Sequence, residues 1–113
     1  MVEVRFVKGN YGYEECHIDG HAGYNPGNDI VCAAVSALGF ALVGALRNIT
    51  GISFREFQTE NGIDLAINPF VDEDNQKISD TVFMTVYVGL KQIEKSYPGH
   101  VRVTERTCAI IET

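Results

Sequence analysis

Two side chains in this sequence have the type and the setting for nucleophilic chemistry at a carbonyl. Cys32 follows Asp29 at the head of a long apolar run. Asn28 or Asp29 can cap the helix that this run forms, and with Asp29 as N-cap Cys32 stands in its first turn. Backbone N–H groups there lack intrahelical partners, and the helix dipole favours negative charge. A thiol so placed is biased toward the thiolate, the form that attacks. His21 lies upstream, in the segment GHAGYNPGND that spans residues 20 to 29. Its glycines, proline and Asn/Asp residues make that segment a loop, and loops of this length in compact domains often carry function. A loop can bring its two ends together, and a Cys–His pair within hydrogen-bond reach exchanges a proton. The blander alternatives are a cysteine that is a small core hydrophobe and a loop histidine with no role.

The same stretch supplies possible supporting groups. Gly20, Gly23 and Gly27 permit close approach of a peptide backbone and some motion. Amides at the helix start are placed to hold an oxyanion. Asp29 either caps the helix or orients His21. Ser36, one turn beyond Cys32, touches the thiol or the substrate, or bonds its own preceding carbonyl. The rival use of these residues is a zinc site from Cys16, His17, His21 and Cys32. That spacing matches no standard finger or ribbon, and Cys16 and His17 point to opposite faces of a strand. Cys108 reads as structural. No C-x-x-C pair and no phosphate-binding glycine motif is present. Neither a metal nor a cofactor is expected.

These groups need a frame to hold them. Val2, Val4 and Phe6 alternate with Glu3 and Arg5 over residues 2 to 8, a half-buried strand. After the turn at Gly9-Asn10-Tyr11-Gly12, residues 13 to 19 form a second strand, with Cys16 and Ile18 inward. The helix predicted over residues 30 to 49 has a large apolar stripe of Val31, Val35, Leu38, Leu42, Leu46 and Ile49, assigned to the sheet. A second stripe is small (Ala33, Ala37, Ala41, Gly44 and Ala45) and suits the second helix or a partner subunit. A helix apolar on nearly all sides is expected to be buried on nearly all sides. Strands are predicted over 52 to 57 and 63 to 67, with a turn at Glu60-Asn61-Gly62. The stretch 81 to 88 is β-branched, yet Ile78, Val82, Val86, Leu90, Ile93 and Tyr97 recur at helical spacing, which favours a helix over residues 72 to 97. Val101 and Val103 mark a last strand. The order is β-β-α-β-β-α-β: an α+β fold with an antiparallel or mixed sheet and two helices packed on one face.

Composition narrows the class. The 113 residues fit one domain spanning 1-113. Net charge is −6, and no Lys/Arg cluster occurs, so nucleic acid is not the expected partner. Three cysteines form no disulfide framework and suit a reducing, cytoplasmic compartment. The start MVEVRFVKGN lacks the pattern of a signal peptide. Ile30 to Leu46 is uncharged, but its Ala, Gly and Ser content and its flanking strands favour a buried helix over a membrane span.

The run Gly20-His21-Ala22, followed by Asp29-Ile30-Val31-Cys32-Ala33-Ala34-Val35-Ser36, resembles the ribosomal-processing cysteine protease family, called Prp. The resemblance extends over the whole chain, with no departure at the key positions. It implies a thiol endopeptidase with Cys32 as nucleophile and His21 as base, supported by Gly20, Asp29 and Ser36, with a loop that moves when peptide binds. It implies a substrate, the N-terminal extension of the large-subunit ribosomal protein numbered twenty-seven, whose removal is needed for ribosome assembly. It also implies a homodimer. The alternative from another class is a non-catalytic ribosome-assembly binding protein in which Cys32 is buried and structural. The acidic surface is expected to attract the basic segment after the cleavage site. Cleavage should therefore slow as salt is added, and a flat salt profile would count against that attraction.

Overall fold

The computed structural model describes residues 1–69 and 72–108. The elements are β1 (Val2–Gly9), β2 (Gly12–Asp19), α1 (Ile30–Ile49), β3 (Phe54–Thr59), β4 (Gly62–Ile67), α2 (Glu73–Ser96) and β5 (Val101–Thr107). They build a mixed five-stranded sheet in the order β3-β4-β2-β1-β5. β1 runs parallel to β5, and every other pairing is antiparallel. This is the α+β architecture that the element order predicts. β3 begins at Phe54 rather than Ile52, because Ile52 is drawn into the core and the Ser53 carbonyl accepts the Asn68 N–H at 2.8 Å.

The core lies between the sheet and the helices. Val4, Phe6, Cys16, Ile18, Leu65 and Val103 meet Val31, Val35, Leu42, Leu46, Phe83 and Leu90. A register shift at Val7/Lys8 lets Tyr13 join this face, although its strand parity matches that of Glu15 and His17. The Tyr13 ring stacks on Phe83 at 5.7 Å and meets Phe6 edge-on. Its hydroxyl donates to Glu105 Oε2 at 2.8 Å. Burial, followed by that carboxylate, raises the hydroxyl's pKa well above the phenol range.

Both helices start on aspartate caps. Asp29 accepts from Val31 and Cys32, and Asp72 from Asn75. The β-branched stretch over 81 to 88 is helical, as the spacing favours. Most of the predicted stripe faces inward: Val86 and Leu90 are buried, and Val82, Ile93 and Tyr97 pack against the core. Toward its start the buried face is shifted, with Ser79 and Phe83 buried and Ile78 exposed. The aromatic cluster on Phe6 and Tyr13 draws Phe83 inward and turns the helix with it.

α1 also departs from expectation. Val31, Val35, Leu42 and Leu46 pack on the sheet, but Ile49 is exposed. The small stripe does not meet α2 along its length, since Ala33, Ala37 and Ala41 face solvent beside Phe40. Contact with α2 includes Leu38, which lies where a Cβ on Gly89 would be 3.1 Å from its Cδ1. The helix is long and apolar enough to cross a membrane by length and composition, and a third of its most apolar window is buried within this chain.

Gly62 presses the β3–β4 turn against β2. A Cβ there would lie 1.8 Å from the Ile18 carbonyl oxygen, a backbone atom that has nowhere to go. Gly62→Ala should lower stability by about 1–3 kcal/mol or more. Urea unfolding would show it as a lower midpoint at constant slope; an unchanged midpoint would mean that the two strands tolerate separation.

Candidate active site

The site is a corner where β2 ends, the loop 20–29 crosses and α1 begins. Gly20 leaves β2 with φ +99° and passes so close to the Met1 carbonyl that a Cβ would sit 2.7 Å from it. Its N–H donates to the Asn61 carbonyl at 2.9 Å, tying the head of the loop to the β3–β4 turn. Ala22 is buried, and its carbonyl accepts from His100 Nδ1 at 2.8 Å. Tyr24 lies edge-on to Tyr97 and to His100. The loop is thus fastened to the α2–β5 corner as well.

Asp29 closes the loop. Its Oδ1 accepts the N–H groups of Val31 and Cys32, each at 3.0 Å, while Oδ2 accepts those of Tyr24 and Asn25. The Cys32 amide leads the backbone donors that hold this carboxyl below its ordinary pKa. Asp29 therefore caps the helix and does not orient His21, because both of its oxygens serve backbone. The helix-start amides expected to hold an oxyanion are also engaged, Ala33 N–H going to the Asp29 carbonyl. The N–H that points at the Cys32 sulfur is instead that of Ala22, 3.1 Å from Sγ.

Cys32 is half-buried, unlike the fully enclosed residue that a purely structural role predicts. Cys16 is enclosed, and burial pushes its thiol up to about 12, so it stays protonated. Cys108 is exposed rather than structural; its backbone N–H extends the β5 pairing to the Lys8 carbonyl. Among the described residues, no group of three His, Cys, Asp or Glu is placed to hold a metal ion.

His21 Nε2 lies 2.9 Å from Asn61 Oδ1. An amide oxygen only accepts, so Nε2 carries the proton and Nδ1 is the basic nitrogen. Sequence reasoning read Asn61 as part of a turn and missed this contact. An asparagine beside a glycine is common enough in turns to carry no further signal.

Two concavities meet here. One, of about 300 Å³, runs between α1 (Cys32, Ser36, Phe40) and the β3–β4 turn, with Ile18 and Val35 among its apolar lining. The other lies under the loop, lined by Gly23, Pro26, Gly27 and Asp29. His21 and Cys32 are the residues that line both. All the candidate residues fall at this corner, Gly20 and Ser36 on the first concavity, Gly23, Gly27 and Asp29 on the second. Ser36 makes no side-chain hydrogen bond among the described residues, so it is not tied to its own preceding carbonyl.

A folded-state pKa below the unfolded value means that the Asp29 contribution is present above the unfolded pKa and lost as pH falls through the folded one. Asp29→Ala should lower the thermal midpoint at neutral pH. The gap from wild type should close as pH drops below the ordinary carboxylate value of 3.8. A gap independent of pH would show that the charge of this carboxylate is not what holds the corner.

Similarity to known proteins agrees with the geometry. The family model described as cysteine protease Prp matches residues 1–102. The ribosomal processing cysteine protease Prp of Staphylococcus aureus (strain Mu50 / ATCC 700699) is 33% identical over 87 residues, covering 76% of this chain and 80% of the relative. The fold matches the S. aureus Prp structure holding a covalently linked product peptide, with TM-score 0.82 at 24% identity over 94% of this chain and 100% of that one. It also matches SMU.848 from Streptococcus mutans, with TM-score 0.74 at 25% identity and 96% of each chain covered. The chain belongs to the Prp family of cysteine proteases.

Proposed function

We propose that this protease cuts peptides with Cys32 as nucleophile and His21 as general base. Its substrate on this reading is the N-terminal extension of the large-subunit ribosomal protein numbered twenty-seven, removed in ribosome assembly. The observation that carries the catalytic assignment is the meeting of two concavities at these two side chains. A peptide lying across both presents its scissile bond at the junction. The curated relative's description as a ribosomal processing enzyme supports the substrate class.

In the reaction, His21 Nδ1 takes the thiol proton and Sγ attacks the scissile carbonyl carbon. The Ala22 N–H, already directed at the sulfur, turns to the carbonyl oxygen as it becomes an oxyanion. His21 returns the proton to the leaving amine, and the thioester remains on Cys32. His21 then deprotonates water, which attacks the thioester, and the thiol leaves with the proton. Catalytic hydrogen bonds commonly tighten only when substrate is bound, so the bond between the Cys32 thiol and His21 Nδ1 forms as peptide enters. Gly20, Gly23 and Gly27 give the loop the freedom to admit the chain, Asp29 holds the loop to the helix, and Ser36 faces the substrate.

The exposed apolar face of α1 (Ala33, Ala37, Phe40 and Ala41) supports a homodimer in which a second copy covers it. Free thiols and an acidic surface favour a cytoplasmic location and argue against nucleic acid or a membrane as partner.

Incubation with the ribosomal precursor, followed by mass spectrometry, tests the assignment. Wild type should remove the extension, whereas Cys32→Ala and His21→Ala should leave it intact while remaining folded. Cleavage by Cys32→Ala would overturn the nucleophile; an intact precursor with wild type, which still hydrolyses another peptide, would overturn the substrate.

A further inference from the structure

Asn61 sits in the turn between β3 and β4, and its side chain reaches across to the loop that carries His21. Resting on the dyad reading above, we propose that Asn61 is the positioning residue for His21: its Oδ1 holds the imidazole as the Nε2–H tautomer and reserves Nδ1 for the thiol proton.

The turn itself makes no demand for asparagine. Among the described residues none other than glycine has a positive φ, so Asn61 is not there to adopt a left-handed conformation. Asn61 fastens the turn with its own backbone rather than its side chain: its N–H donates to the Thr59 hydroxyl Oγ1 at 3.2 Å, and its carbonyl accepts from the Gly20 N–H at 2.9 Å. Gly62 seats it against the Ile18 carbonyl. The Asn61 side chain spends its oxygen on His21 Nε2 at 2.9 Å. Removing that side chain therefore spares the fastening and removes the contact.

The chemistry gives the contact a purpose. A neutral imidazole with its proton on Nδ1 cannot accept the thiol proton there, and a ring free to rotate presents either nitrogen. An acceptor on Nε2 settles both the tautomer and the ring orientation. When His21 takes the proton, the Nε2–H bond becomes charge-assisted and strengthens, so it favours the step that forms the imidazolium. A neutral acceptor does this without adding a negative charge beside the sulfur. Asp29 cannot substitute, because its two oxygens hold backbone. The ionisable groups sharing His21's concavities are Cys32, Asp29 and Glu60.

The test compares wild type, Asn61→Ala and Asn61→Asp on a peptide spanning the cleavage site, with kcat and KM measured across pH and thermal midpoints recorded. Asn61→Ala should lose about tenfold or more in kcat. Its KM should stay within about twofold and its thermal midpoint should stay near that of wild type. Asn61→Asp restores an acceptor and should recover most of the loss. Its added charge should move the alkaline limb of kcat/KM upward by roughly one pH unit or less. Wild-type kcat and pH profile in Asn61→Ala, while Cys32→Ala and His21→Ala are inactive, would overturn the positioning role and leave the dyad standing. A loss in Asn61→Ala that Asn61→Asp does not repair, with a lowered thermal midpoint, would overturn it in favour of a structural role. Full activity of His21→Ala would instead overturn the dyad, and the positioning role with it.

Discussion

The two oxygens of Asp29 serve two parts of the chain at once. Oδ1 satisfies the Val31 and Cys32 amides at the head of α1, and Oδ2 satisfies the Tyr24 and Asn25 amides in the loop. Amides at a helix start have no other intrahelical acceptor, so a carboxylate there is the natural partner. Because the same group also gathers the loop, the helix start and the loop cannot move independently. Cys32 is placed by the first half of this arrangement, and the path from His21 to Asp29 by the second.

The remaining ties converge on the same corner from other elements. His100 and Tyr97, beyond the end of α2, hold Ala22 and Tyr24. The β3–β4 turn holds Gly20 by its backbone and His21 by a side chain. The sheet order puts these pieces within reach, because β2 lies between β4 and β1 and ends beside the turn that β3 and β4 share. Reactivity then follows from burial. Cys16 and Cys32 are the same residue type, but one is sealed under the helices while the other opens onto two concavities. The scaffold removes the first from chemistry and leaves the second available.

α1 shows how far an apolar helix can be served by its own chain. The sheet takes Val31, Val35, Leu42 and Leu46, and α2 meets Leu38. The face bearing Ala33, Ala37 and Phe40 is left to solvent. A two-layer fold covers a helix from beneath and from one side, so a helix that is apolar all round keeps an open face. That face borders the groove through Phe40, which places any neighbour on it close to Cys32 and Ser36.

Local chemistry alone determined a good deal. Alternation marked the strands, the Asp–Gly–Pro content marked the loop, and the spacing of apolar residues marked both helices. Asn28 and Asp29 both offered a cap, with Cys32 in the following turn, and the structure uses Asp29. That His21 and Cys32 would come to one corner was legible for the same reason, since both belong to one short stretch of chain. What depended on distant residues was not legible. The rotation of α2 toward Phe83 came from an aromatic cluster on β1 and β2, and the burial of Tyr13 came from a register shift that alternation does not encode. Asp29 could have served the helix or His21, and only the closed loop showed that its second oxygen was already taken. Asn61 lies forty positions from His21, and their hydrogen bond exists only because the sheet folds one turn against another. Periodicity and caps are written within a few residues of one another, whereas the partner of the His21 side chain is chosen by the topology that brings remote strands together.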